Sequence, residues 1–231
     1  MSLFDVIAFD ADDTLWHEER KFVDAEQRVV DLLSRYHSAD TIRKGLQGYD
    51  VANLQFWGYG VKSYVLSMIE AAIELTEGRV TGAEIQKFID LGRDMLAHPI
   101  ETFPHVETTL ANVSQRYTVL LITKGDLLDQ EMKLARSGLG NYFDHVEVVS
   151  NKRPESYRRV LHRYNIAPER FMMIGNALRS DIKPVIEIGG NAVYIPAGLS
   201  WAHEAAELDK SKFAQLDHIG QIPTYLKQLE G

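Results

Sequence analysis

Short apolar runs recur along this chain, and each is followed by polar residues suited to chemistry. Val6 to Phe9 runs into Asp10, Asp12, Asp13 and Thr14, and Tyr117 to Ile122 into Thr123 and Lys124. Val146 to Val149 precedes Asn151 and Lys152, Phe171 to Ile174 precedes Gly175, Asn176 and Asp181, and Ala192 to Ile195 forms a last run. Runs this short, rich in β-branched residues, read as buried strands. Helical segments separate the later ones: Val106 to Val113, Leu127 to Ser137, a helix opened by Pro154, and Ile182 to Ile188. Strands joined through helices form a parallel sheet with right-handed crossovers, so the expected fold class is α/β, a Rossmann-like three-layer core.

The stretch between the first two strands has a different character. Phe22, Ala25, Val29, Leu33 and Tyr36 recur at helical spacing, and Ile42 with Leu46 marks a weaker helix. Val61, Tyr64, Val65, Met68, Ala72 and Leu75 share one apolar face, which Glu77-Gly78 ends. Thr81-Gly-Ala-Glu84 reads as a capping box for a further helix closed by Pro99. The expected organisation is therefore a discontinuous α/β core, residues 1–15 and 100–231, with an all-helical insert over 16–99.

Composition bounds the function. The chain has 231 residues, 45% of them hydrophobic and 25% charged, as in ordinary globular proteins. It has no cysteine, which excludes disulfides, thiolate zinc sites and a cysteine nucleophile. Its eight histidines show no paired zinc-ligand spacing, and His145 and His162 read as structural or exposed. A formal net charge of −8 argues against general binding to nucleic acid or to an anionic membrane, because both would be repelled at long range. The first apolar run is too short and too acidic for a signal peptide, and no segment reaches membrane-spanning length, so a cytoplasmic location is expected.

In open α/β sheets ligands bind beyond the carboxyl ends of the strands, which is where the polar clusters fall. Crowded carboxylates at the first strand end call for a cation, and carboxylate oxygen suits Mg²⁺. Asp10-Ala-Asp12-Asp-Thr14, then Thr123, then Lys152, then Gly175-Asn176 with Asp181, resemble the ordered motifs of the haloacid dehalogenase-like superfamily, phosphatase branch, and the likeness covers essentially the whole chain. A helical cap inserted between the first two motifs also fits one of its large subgroups.

The resemblance implies an Mg²⁺-dependent phosphomonoesterase acting on a small phosphorylated metabolite. Asp10 would be the nucleophile and Asp12 the proton donor and acceptor, with Thr123 and Lys152 holding the phosphate. Lys124 and Gly125 would assist through their backbone N–H groups. Mg²⁺ would be held by Asp10, the Asp12 carbonyl, Asn176 and Asp181. Asn176 stands where the family often has an acid, so it brings an amide oxygen without charge; Ser180 could assist by hydrogen bonding.

The presence of Asp12 separates this reading from the dehalogenase branch, where the second acid is not needed. A phosphomutase or phosphotransferase would use the same residues, and a non-catalytic binding protein on a hydrolase fold is the alternative from another class. Asp13 reads as a turn-stabilising acid. The aromatic segment Leu54 to Lys62 is expected to pack between helices, with Trp57, Tyr59 and Lys62 as candidates for selecting the leaving group. His17, Trp201 and His203 are weaker candidates for the site's entrance. The residues leave the substrate and the oligomeric state open.

Overall fold

The computed structural model describes residues 3–199 and 201–231. Its sheet has six strands, all parallel: β1 (Val6–Phe9), β2 (Thr118–Lys124), β3 (His145–Val149), β4 (Phe171–Gly175), β5 (Asn191–Tyr194) and β6 (Ala214–Gln215), in the order β3-β2-β1-β4-β5-β6. β1 thus lies inside the sheet, with Phe9 opposite Leu121 of β2 and Ile174 of β4. Strand order turns around between β1 and β4, the position where α/β sheets leave a crevice at their carboxyl edge.

Alternation along the strands builds two cores. Ile7, Phe9, Val119, Leu121, Met172, Ile174 and Val193 face one side, where Val106 and Leu110 of α5 (Val106–Val113) and Leu226 of α9 (Ile222–Glu230) cover them. Val6, Ala8, Leu120, Ile122, Phe171, Met173 and Ala192 face the other. Tyr157, Val160 and Leu161 of α7 (Pro154–Arg163) and Val185 of α8 (Lys183–Glu187) close that side. The result is the three-layer α/β arrangement expected from the strand and helix pattern.

The chain divides into two compact units. The first comprises Met1–Glu19, Ile100–Lys124 and Gln130–Gly231 and holds the sheet; the second comprises Arg20–Pro99 and Gly125–Asp129. The second carries α1 (Glu19–Leu33, from its second residue), α2 (Ala39–Trp57), α3 (Val61–Leu75) and α4 (Gly82–Ala97), with no strand among its described residues. Its own core is formed by Val29, Leu33, Ile42, Leu46, Met68 and Phe88. Thr81 and Glu84 make the reciprocal capping box that opens α4. Gly92 of α4 has no room for a Cβ beside the Val65 side chain, so a glycine there permits close helix packing.

The structure revises several expectations. The weak helix around Ile42 and Leu46 extends to Trp57, because Ser38 caps its start and Gly58, at φ 72°, ends it. Phe56 and Trp57 are 69% and 54% exposed, so they do not pack between helices as their aromatic character suggested. β2 reaches Lys124, which makes Thr123 and Lys124 its last residues. The helix that follows, α6 (Leu127–Ser137), starts only after Gly125 at φ 135°. β6 and α9 lie beyond the last strand foreseen from the sequence.

Candidate active site

The carboxyl edge of β1 opens into a tight turn. The Asp10 amide donates to the Ile174 carbonyl at 2.9 Å, carrying the β1–β4 ladder one residue past the strand. Leu15 N donates back to Ala11 O at 2.8 Å, and Asp13 N donates to Trp16 O at 2.8 Å. Asp13 takes the left-handed conformation, φ 58°, which Asp tolerates better than most residues. Its carboxylate accepts from Glu18 N and Glu19 N at the start of α1. Asp13 is therefore the turn-stabilising acid anticipated from the sequence, and it also caps the start of α1, which the sequence reading did not foresee.

Asp10 faces Lys152 and Asp181. Lys152 Nζ donates to Asp10 Oδ1, and to Asp181 Oδ1 at 2.7 Å. The Lys152 and Asp181 side chains are each 1% exposed. Lys152 sits in the loop between β3 and α7, whose start is fixed by Pro154 in its first turn. The second oxygen of Asp181 accepts from Ala177 N at 2.9 Å. Gly175 permits this: a Cβ there would overlap the Asp181 carboxylate.

Burial pushes the Asp10 carboxyl up to about 7, with Lys152 opposing and the charges of Asp181 and Asp12 adding to the rise. For Lys152, burial alone would favour the neutral amine, but the carboxylates of Asp10 and Asp181 outweigh it and hold the ammonium above its ordinary value. Two buried carboxylates thus share one lysine, and the cluster is short of positive charge.

Asn176 bears on that shortage. The inward atom of its side-chain amide is 3.2 Å from Asp10 Oδ2, 3.2 Å from the Asp12 carbonyl oxygen and 3.1 Å from Thr14 Oγ1. Turned one way, the amide nitrogen donates to these oxygens. Turned the other, the amide oxygen accepts from Thr14 Oγ1 and faces the Asp10 and Asp12 oxygens, an approach that a cation between them would offset. The donor set of the Asp10 carboxylate, the Asp12 carbonyl and the Asn176 amide therefore fits a hard divalent cation. Among the described residues no three acidic or histidine side chains converge on one point, so this set depends on main-chain and amide oxygen.

The Asp12 carboxylate has its own partners. Trp16 Nε1 donates to Oδ1 at 2.8 Å, Gln130 Nε2 to Oδ2 at 2.7 Å, and Lys133 Nζ to both, at 2.7 and 2.9 Å. Burial works to raise this carboxyl, but the Lys133 charge and the hydrogen bonds prevail and hold it below the ordinary value. Thr123 is buried at the end of β2.

The Lys124 side chain is paired with Glu204 and donates to Ser180 Oγ at 3.1 Å, while Ser180 Oγ donates to Glu204 Oε2 at 2.6 Å. Glu204, from a short helical turn after β5, brings a carboxylate to the strand-end lysine. Burial would raise that carboxyl, yet Lys124 keeps it below its ordinary value.

Of the remaining candidates, the His17 ring lies 3.9 Å from that of Phe103 and its amide donates to Glu101 O. The Trp201 and His203 rings are tilted by 38° with centroids 4.7 Å apart. Trp57 and Lys62 belong to the second unit, where Lys62 Nζ is 2.8 Å from Asp126 Oδ1. Gly125 belongs to that unit as well. Sequence reading missed Gln130, Lys133 and Glu204; the one available signal was a Gln and a Lys three apart on α6.

A carboxylate at the carboxyl edge of an inner strand, with a buried lysine beside it, marks the chain as a doubly wound α/β protein with a charged site at its sheet edge. The family follows from comparison. Residues 4–189 match the model of the haloacid dehalogenase-like hydrolases, and the chain belongs to that family.

A solved haloacid dehalogenase-like family hydrolase from Xanthomonas campestris is 39% identical, with a TM-score of 0.89 over 98% of this chain and 92% of that one. A glyceraldehyde 3-phosphate phosphatase from Pyrococcus furiosus is 30% identical over 130 residues, 54% of this chain and 52% of that protein. Its namesake from Methanothermobacter thermautotrophicus is 28% identical over 134 residues, 55% and 59% respectively. The chain thus spans only about half the length of the curated relatives it matches.

Proposed function

We propose that the chain is an Mg²⁺-dependent phosphomonoesterase that works through an aspartyl-phosphate on Asp10. The observation that carries the reading is the buried Asp10–Lys152–Asp181 chain beside an oxygen set fit for a divalent cation.

In the first half-reaction an Asp10 oxygen attacks phosphorus and the ester oxygen leaves. Asp12 gives that oxygen a proton, and in the second half takes one from the water that cleaves the aspartyl-phosphate. Lys152 keeps a positive charge beside the nucleophile and the phosphoryl oxygens, and Asp181 holds the lysine in place. Thr123, buried at the end of β2, would hydrogen-bond the phosphate. The ion, held by Asp10, the Asp12 carbonyl and Asn176, would offset the negative charge of carboxylate and phosphate at close approach. In this assignment Asp181 serves Lys152 first, since both its oxygens are already engaged.

The helical unit is proposed as the cap that sets substrate preference, with Trp57 and Lys62 as the residues to vary first. The names of the curated relatives make a triose phosphate the first compound to assay. Phosphate release from glyceraldehyde 3-phosphate, sugar phosphates, nucleoside monophosphates and p-nitrophenyl phosphate, with and without Mg²⁺, tests the reading against an Asp10→Asn control. Mg²⁺-dependent release that the variant lacks supports it; no release from any of them overturns it.

A further inference from the structure

The Asp12 carboxylate is held by a cage built from a distant helix. Three donor groups, Trp16 Nε1, Gln130 Nε2 and Lys133 Nζ, make four N–H···O contacts to its two oxygens. Two of the donors come from one face of α6, since Gln130 and Lys133 are three residues apart. The third, Trp16, is brought back onto Asp12 by the turn after β1, four residues on.

The cage is more polar than folding alone requires. The Lys133 side chain is 5% exposed and also lies 3.3 Å from Glu18, itself 7% exposed. Apolar residues of similar size often replace such buried ion sets without loss of stability. Gln130 is buried as well, and its Oε1 has no hydrogen-bond partner among the described residues. Its amide nitrogen, in contrast, donates to both Asp12 Oδ2 and the Lys124 carbonyl. A buried amide that leaves its acceptor unpaired while its donor serves an active-site carboxylate is oriented for that carboxylate.

We propose that Lys133 and Gln130 are positioning residues for Asp12, fixing both of its oxygens in one orientation at the carboxyl edge of β1. This rests on the proposed role of Asp12 in proton transfer. Neither residue is assigned contact with substrate; both act through the carboxylate they hold. A carboxylate free to rotate would spend much of its time misdirected, and small misplacements of a reacting group are costly in rate.

The test uses the full chain with Mg²⁺ and the variants Lys133→Met, Gln130→Leu, Asp12→Asn and the double variant Asp12→Asn/Lys133→Met. An aryl phosphate with a good leaving group is compared with an alkyl phosphate, whose leaving oxygen depends more on a proton donor. Lys133→Met is expected to lower kcat for the alkyl ester about 100-fold, the aryl ester less, with KM within about threefold. In the Asp12→Asn background the same change is expected to have almost no further effect, because groups acting as a unit are not additive. Gln130→Leu, which removes no charge, is expected to give a weaker loss with the same leaving-group pattern and serves if Lys133→Met folds poorly.

A crystal structure of Lys133→Met, or of Gln130→Leu in its place, gives a readout independent of turnover, with the Asp12 carboxylate expected to leave its present position. Wild-type kcat in Lys133→Met, an additive loss in the double variant, or an unmoved Asp12 would overturn the proposal. If Asp12→Asn turns over like the wild type, the proton-transfer role falls and this proposal with it. If Asp12→Asn is inactive while Lys133→Met is not impaired, the positioning proposal falls alone. If the wild type releases no phosphate, the position of Asp12 in the variant crystal decides.

Discussion

Lys152 Nζ stands 2.7 Å from Asp181 Oδ1, with both side chains removed from water, and the same ammonium reaches Asp10. Removing one member of a buried charged set leaves its partners uncompensated, at a cost of about 3–5 kcal/mol. Lys152→Met is therefore expected to lower unfolding stability by about that amount and turnover by about 1,000-fold or more. Lys152→Arg should not restore activity, since the planar guanidinium cannot occupy the point-like place of the ammonium. Denaturant unfolding and steady-state kinetics on the two variants check this.

Gly175 extends the same relationship. Because a Cβ at this position would overlap the Asp181 carboxylate, Gly175→Ala must displace Asp181 and, through it, Lys152. Overpacking of this kind costs about 1–3 kcal/mol, and the expected activity loss is disproportionate to it, about 100-fold. Thermal unfolding beside kcat measures both. Gly48→Ala is the control, since a Cβ there meets nothing within 4 Å.

The charge shortage at Asp10 predicts how Mg²⁺ and pH interact. Burial lifts the Asp10 carboxyl from 3.8 to about 7, so in the metal-free protein the folded state keeps its proton longer than the unfolded chain. That contribution to stability is complete below the unfolded value and is lost as pH rises through about 7. A cation needs the ionised carboxylate, so its stabilisation grows over the same range. The rise in Tm on adding Mg²⁺ should be clearly larger at pH 8 than at pH 6, and Asp10→Asn should reduce it at both.

Asp50, in the helical unit, offers a pH effect away from the site. Burial alone raises its carboxyl from 3.8 to about 6. The folded state therefore loses stability as pH rises from the unfolded value through about 6, where the buried group must ionise. Asp50→Asn should stabilise the protein by about 1–2 kcal/mol at pH 7.5 and by almost nothing at pH 3.5, a magnitude reduced for the part of the side chain that water still reaches. Urea unfolding at the two pH values gives the comparison.

Most of the sheet was legible because its inner strands β1, β2 and β4 are buried on both faces, which writes them as continuous apolar runs. Asp10, Thr123, Lys152 and Asp181 drew notice as polar residues that follow those runs, and their proposed roles came from the family resemblance; the structure brings Asp10, Lys152 and Asp181 together. β6, only two residues long, leaves no such trace. Lys133 and Gln130 were hidden because their duty arises from tertiary packing across more than a hundred positions, and on α6 alone they look like ordinary helix residues. The aromatic pair Phe56 and Trp57 misled in the opposite direction: hydrophobic character suggested packing, while the helix end exposes both rings. Glu204 was missed because nothing local marks a loop acid that folds back to Lys124.

The decisive measurement is to mix the protein with Mg²⁺ and a hydrolysed phosphomonoester, quench in acid during turnover, and map the phosphorylated peptide. The expected result is one acid-stable, hydroxylamine-sensitive phosphoryl group on the peptide that contains Asp10, absent from Asp10→Asn together with turnover. Steady hydrolysis with no labelled peptide, and retained by Asp10→Asn, would contradict a nucleophilic Asp10.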